Sequence, residues 1–229
     1  MSRICLLIFS CLILSACTSN EIGNSDDVDP DTIYLDYFIS GDEDKDHVKV
    51  LLQFRYGGAH GTTLILRHPS QVELDGQLVK GDSSKMTGAF YEVLKPVAGF
   101  TGKHKITFTD INKKKYEEEF SFQPFKPKEE IPAVLKRGEL VFEMEGLNPV
   151  DYVRVFATDT SFPTPGINRV DTVKNGRIII SLSDLDNLSN GPINLELYKE
   201  DERPVKNGTR EGGRISINYG IKREFELRD

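Results

Sequence analysis

The 229 residues predict an all-β protein built as two β-sandwich domains in tandem. Three observations carry that expectation. Apolar and polar residues alternate over short runs, the period of half-buried strands. Asp-Gly and Asn-Gly pairs stand between such runs and tolerate the positive backbone angles of tight hairpin turns. A stretch with three prolines, Pro124-Phe125-Lys126-Pro127-Lys128-Glu129-Glu130-Ile131-Pro132, interrupts the pattern near the middle. Proline removes ladder donors, so this stretch reads as a stiff linker.

At the start of the chain, Arg3 precedes an apolar stretch from Ile4 to Leu14, and the small residues Ser15 and Ala16 stand directly before Cys17. That is a secretory signal layout. A spanning helix needs about 20 apolar residues, and this run gives way too early to Thr18, Ser19, Asn20 and Glu21. Leu14-Ser15-Ala16-Cys17 resembles the lipobox of bacterial lipoproteins, in which a dedicated peptidase cuts before a cysteine whose sulfur carries a diacylglycerol. The resemblance implies that residues 1–16 are removed and that Cys17 becomes a lipidated N-terminus. An ordinary signal site favours small residues at the first and third positions before the cut, and Leu14 fits that pattern poorly. By the same resemblance, the absence of aspartate at Thr18 and Ser19 implies an outer-membrane address, with the periplasmic or surface face left open. Several buried acyl chains at about 0.8 kcal/mol per methylene make such an anchor effectively permanent.

Cys5 and Cys11 fall inside the segment to be lost, so the remaining body has no thiol besides the acylated one. Disulfides, cysteine-ligated metals and thiol nucleophiles are excluded from it. The formal net charge of −7 becomes one unit more negative once Arg3 is gone, which makes nucleic acid a poor partner. No cofactor is expected.

Residues 17–31 are polar and acidic, and read as a flexible tether. Residues 32–125 form the first expected sandwich. His47 to Tyr56 alternates Val48, Val50, Leu52, Phe54 and Tyr56 against Lys49, Gln53 and Arg55. Asp75-Gly76 joins Val72 to Leu74 with Gln77 to Val79 as a hairpin, and Lys105 to Thr109 pairs with Tyr116 to Phe122 through a lysine-rich tip. Residues 126–132 are the linker and residues 133–229 the second sandwich. In that second half Leu140, Phe142 and Met144 alternate, as do Val153 and Val155. Asn175-Gly176 marks the clearest hairpin, Ser183 to Leu188 adds a helical turn, and Ile193 to Tyr198 and Ile215 to Phe225 close the domain.

The stretch from Phe100 to Asp110 resembles immunoglobulin-like domains of bacterial surface proteins, although the cysteine and tryptophan core of antibody domains is absent. The resemblance implies a fold and leaves function open. Together the two likenesses point to lipobox-type lipoproteins with tandem immunoglobulin-like domains.

No catalytic set is recognisable. Asp42, Asp44 and Asp46 have alternating spacing that can wrap calcium, but His47 and Gln53 stand where an EF-hand needs glycine and glutamate. An acidic turn is the favoured reading. Gly57-Gly58-Ala59-His60-Gly61 lets backbone approach a ligand closely, yet no Gly-x-Ser-x-Gly elbow supplies a nucleophile, and a loop between strands is favoured. His47, His60, His68 and His104 show no metal-type pairing. Glu117-Glu118-Glu119, Asp184 and Asp186 read as solvated faces. Asp31-Thr32-Ile33 and Asp171-Thr172-Val173 resemble an O-glycosylation acceptor of some Gram-negative bacteria.

The leading functional expectation is a non-catalytic, membrane-anchored module that binds an envelope protein or a glycan, or serves as an accessory in an envelope complex. The competing one is a lipid-anchored hydrolase or calcium-dependent binder that uses carboxylates near Asp42 together with His60.

Overall fold

The computed structural model describes residues 21–161 and 164–229. Cys17, the signal segment 1–16 and the first residues of the expected tether lie outside the described residues.

The first half comprises β1 (Ile22–Asn24), β2 (Ile33–Asp42), β3 (His47–Tyr56), β4 (Thr62–Ile65) and β5 (Gln71–Leu74). It continues through β6 (Gln77–Leu78), β7 (Gly81–Ser84), β8 (Gly88–Pro96), β9 (Gly102–Thr109) and β10 (Lys115–Phe122). The second half holds β11 (Lys126–Pro127), β12 (Val134–Lys136), β13 (Leu140–Glu145), β14 (Tyr152–Asp159), β15 (Ile167–Thr172) and β16 (Arg177–Ile180). A single helical turn follows, α1 (Leu182–Leu185), capped reciprocally by Ser181 and Asp184. Two long strands end the chain, β17 (Gly191–Thr209) and β18 (Gly212–Arg228).

The all-β expectation holds. One large sheet runs β1-β4-β3-β2-β18-β17-β14-β15, and two smaller sheets, β10-β9-β5-β6 and β11-β13-β16, belong to the first and second halves. Alternation explains the layers. Val48, Val50, Leu52 and Phe54 of β3 are buried, as are Ile106 and Phe108 of β9. Phe54 meets Phe108 across the layers with ring centroids 4.6 Å apart. In the second half Leu140, Phe142 and Met144 of β13, with Ile178 and Ile180 of β16, join the same buried cluster as Val153, Val155, Leu195 and Leu197.

Turn chemistry acts as expected at Asp75-Gly76, where both residues have positive φ (52° and 76°). Asn175-Gly176 adopts the same local turn (54° and 74°), but its flanking strands part after a single bridge between Lys174 and Arg177. β15 pairs with β14 and β16 with β13, so the chain crosses from one layer to the other at this turn. The dipeptide specifies the reversal, and burial of Val173, Ile178 and Ile180 selects the partner.

Two stretches behave differently from expectation. The tether expected over residues 17–31 is ordered from Ile22 onward. β1 lies parallel to β4, Ser25 is buried with its hydroxyl accepting from the Arg67 amide, and Asp29 caps a 3-10 turn at Pro30–Thr32. Short polar side chains that read as disorder act here as caps and turn acceptors. The linker expected over residues 126–132 contributes β11 to the second half, Lys128 donates its amide to the Glu143 carbonyl, and Ile131 is buried.

The largest departure lies in residues 199–214, which fall between the two separate closing strands expected at Ile193 to Tyr198 and Ile215 to Phe225. They belong to one long hairpin. β18 pairs antiparallel with β17 and, over Gly213–Gly220, parallel with β2. Its remaining residues stay in the second half, so one strand serves both halves and residues 32–125 do not complete their sheet alone.

Candidate functional site

The shared hairpin creates a seam. β10 is the outer strand of its small sheet, and its core-facing register reads Tyr116, Glu118, Phe120, Phe122. A carboxylate at a core position requires a partner. Arg203 of β17 supplies a guanidinium to Glu118, and the Lys206 amide donates to its other oxygen at 2.6 Å. Arg203 also donates to the Glu119 carbonyl at 3.0 Å, and Asn207 to the Glu117 carbonyl at 3.1 Å. Side chains of β17 thereby satisfy the exposed carbonyls of an edge strand without a backbone ladder, which shields that edge. Tyr37 lies fully buried below. Burial, and then the negative charge of Glu118, push its hydroxyl pKa upward.

Toward the second half, Tyr219 of β18 packs edge-on against Phe122 (5.9 Å) and Phe125 (5.7 Å). Above these aromatics opens a cleft of roughly 800 Å³, walled on one side by Lys103, His104 and Lys105 and on the other by Asn148, Val150, Asp151 and Tyr152. β17 contributes Lys199, Glu200, Asp201, Arg203 and Lys206. Val150 and Tyr152 are exposed on its rim, and Phe120 and Phe122 are buried beneath.

The walls are held rigidly. His104 stacks on Phe100 (3.8 Å, 12°), and its ring nitrogens lie 2.8 Å from an Asp75 carboxylate oxygen and 2.9 Å from the Phe100 carbonyl. Asp75 also accepts the Lys105 amide, so the Asp75-Gly76 turn is tied to β9. Opposite, Asp151 accepts from Lys199 at 2.6 Å and from the Asn148 amide at 2.8 Å. Burial would raise the Asp151 pKa, but the Lys199 ammonium and the Asn148 donors outweigh it and hold the carboxyl below the usual aspartate range. The cleft thus presents fixed polar groups and aliphatic stems around an aromatic floor, a surface suited to a polyhydroxylated or peptide ligand.

The residues singled out from the sequence are dispersed. Asp42 accepts from Lys45, Asp46 faces His47, and neighbouring Glu43 pairs with Arg223. Among the described residues, no group of three or more His, Cys, Asp or Glu is placed to hold a metal ion. His60 sits in the loop after Tyr56, and Tyr56 pairs with Ile33 at the start of β2, whereas Asp42 ends that strand. Eight residue steps separate Ile33 from Gly41, about 26 Å at strand rise, so the Asp42 and His60 expected to act together stand at opposite ends of the sheet. The reading of Glu117, Glu118 and Glu119 as a solvated run fails at Glu118, because alternation turns the middle residue inward. Asp184 serves the α1 cap and pairs with Arg169. The Thr32 hydroxyl is engaged with the Asp29 carbonyl, and Thr172 ends β15. Arg203, Val150 and Tyr152 do not figure among the residues singled out from the sequence, and Glu118 does so only as part of a solvated face. The signal for Glu118 was present as a charge in the apolar register of a strand.

No helix among the described residues is long and apolar enough to cross a membrane. No family model matches the sequence, and no curated protein matches it. Among solved structures the chain is similar to a tetra-tandem repeat in the extending region of a large adhesion protein, at 12% identity over 84% of this chain and 49% of that one, with a TM-score of 0.26. It thus spans about half the length of that structure. It is similar to DIP-gamma IG1+IG2 at 7% identity over 86% and 95% of the two chains, with a TM-score of 0.24. It is also similar to SGBP-B of the Bacteroides ovatus mixed-linkage glucan utilization locus, solved with a mixed-linkage heptasaccharide, at 10% identity over 90% and 65%, with a TM-score of 0.19. Likenesses at this level bear on neither the arrangement of the halves nor the ligand.

Proposed function

We propose that the chain is a lipid-anchored, non-catalytic binding module of the bacterial outer membrane, and that its partner, an envelope protein or glycan, seats in the cleft between the two halves. The observation that carries the binding role is the cleft: its walls come from both halves, its polar groups are fixed by ion pairs, and Val150 and Tyr152 stand exposed at the rim. Exposed aromatic and aliphatic side chains over a preorganised polar wall are what a binding surface needs, because little ordering remains to be done when the ligand arrives. The anchor rests on the sequence Leu14-Ser15-Ala16-Cys17 and on its resemblance to the lipobox.

The test is capture of envelope protein and envelope glycan by the lipidated wild type and by Val150→Ser/Tyr152→Ser. The wild type retains a partner that the double variant loses. Equal capture by both, with both folded, would move the binding site away from the cleft.

A further inference from the structure

We infer that one pole of the molecule, built around Ile22, Tyr56 and Met86, is a membrane-facing surface whose occupant is the lipid bilayer, so that the cleft is presented away from the membrane. The inference rests on the lipid anchor at Cys17 proposed above. It adds an orientation that the anchor alone does not give.

The chain is fixed from Glu21 onward. The Glu21 carbonyl accepts from both the amide (3.1 Å) and the hydroxyl (3.2 Å) of Thr63, and Ile22 pairs with Thr63 in the parallel ladder of β1 and β4. Cys17 lies four residues before Glu21, so an extended connection reaches at most about 14 Å. A bilayer holding the Cys17 acyl chains therefore lies next to this end of the sheet, and a body on so short a lead has little freedom to turn over.

The groups at that end suit an interface. Met86, at the tip between β7 and β8, is 86% exposed, and Ile22 is 43% exposed. Ile22 borders a shallow hollow with Ser83, Ser84 and Lys85. Tyr56, also exposed, pairs with Thr62 at the same end of β4, and an amphipathic phenol favours the headgroup level. Glu21 and Glu211 stand at this pole as well, so charge alone would not bring it to anionic lipid. The contact is apolar and follows from the anchor.

Strand register places the cleft at the other end. The β2 and β3 ladder runs from Ile33 and Tyr56 to Gly41 and Val48, and Tyr219, which forms part of the cleft, pairs with Gly41. The Tyr219 end of the cleft, where Tyr152 also stands, therefore lies about 26 Å along the strands from the pole, and the cleft narrows that distance to about 13 Å at Arg203, which is level with Tyr37. β18 continues beyond it into the second half.

The chain contains no tryptophan, so Met86→Trp and Tyr152→Trp each place one indole in the full protein. Each lipidated variant would be reconstituted into phosphatidylethanolamine and phosphatidylglycerol vesicles with brominated acyl chains. Both should float with the vesicles, with emission at position 86 quenched about twofold or more and emission at position 152 unchanged, because about 26 Å approaches the thickness of the hydrocarbon core itself. Floating protein with equal quenching at the two positions, or stronger quenching at 152, would overturn the orientation alone. Protein that does not float would overturn the anchor and the orientation with it.

Discussion

Glu118 of β10 and Arg203 of β17 form an ion pair across 85 residues of sequence, with the glutamate side chain 2% exposed and the arginine 25% exposed. This contact fastens the outer half of the long hairpin to the first small sheet. Removing one partner of a buried pair leaves a charge without compensation, typically at 3–5 kcal/mol. Partial exposure of the guanidinium lowers that figure. Arg203→Ala should destabilise the protein by about 2–3 kcal/mol in urea unfolding. Glu118→Leu/Arg203→Leu should recover most of the loss, since no charge is then stranded. An Arg203→Ala change within about 0.5 kcal/mol of wild type would mean that the pair is not what holds the hairpin down.

The close approach of β18 to β2 depends on Gly213. A Cβ there would strike the Leu35 carbonyl oxygen and the Leu35 side chain. Gly213→Ala should cost about 1–3 kcal/mol by overpacking. Gly99→Ala, where a Cβ meets nothing within 4 Å, serves as the control and should change stability little. Thermal unfolding of the two variants compares them directly, and equal melting temperatures would contradict the observed register.

Acid should loosen the cleft wall. Asp151, Asp159 and Asp184 all have pKa values below the ordinary aspartate value despite burial, because Lys199 and Asn148, Thr164 and Ser189, and Ser181 and Arg169 respectively favour their charged forms. A depressed folded-state pKa contributes stability above the unfolded value, about 3.9, and that stability is lost as pH falls through the lower folded value. Stability should therefore drop below about pH 4, and Asp151→Asn should be less stable at neutral pH with a shallower acid slope. Asp151→Asn with an unchanged slope would show that the Lys199 pair contributes nothing to the pH dependence.

Calcium at millimolar concentration should leave the melting temperature unchanged. A native-state site at a hundredfold excess of ligand over its dissociation constant would add about 2.7 kcal/mol, which is several degrees. The carboxylates of Asp42 and Asp46 are engaged with Lys45 and His47. A rise in melting temperature that Asp44→Ala abolishes would put a metal site in this turn.

What the sequence disclosed followed from local physics. Alternation located β3, β10 and β13, and the positive-φ turns fell at Asp75-Gly76 and Asn175-Gly176. What stayed hidden was non-local. The expected closing strands stop at Tyr198 and restart at Ile215 because the partners that hold the stretch between them, Glu118, Asp36 and the edge carbonyls of β10, lie 84 or more residues away. The charged residues of that stretch become strand residues once β10 and β2 offer acceptors. The cleft was illegible for the same reason: Lys103 and Tyr152 approach only after the shared hairpin has joined the halves. Residues 126–132 followed the same pattern, since Pro127 pairs at an edge where its missing donor does no harm.

The central claim is that a partner binds between the halves, and the most direct measurement is photo-cross-linking in intact cells from a photoreactive amino acid at position 152. The control is the same group at position 141, where Val141 is exposed on β13 and does not line the cleft. The account predicts a discrete adduct from position 152 that is absent from position 141. Adducts of equal yield from both positions, or from position 141 alone, would contradict it.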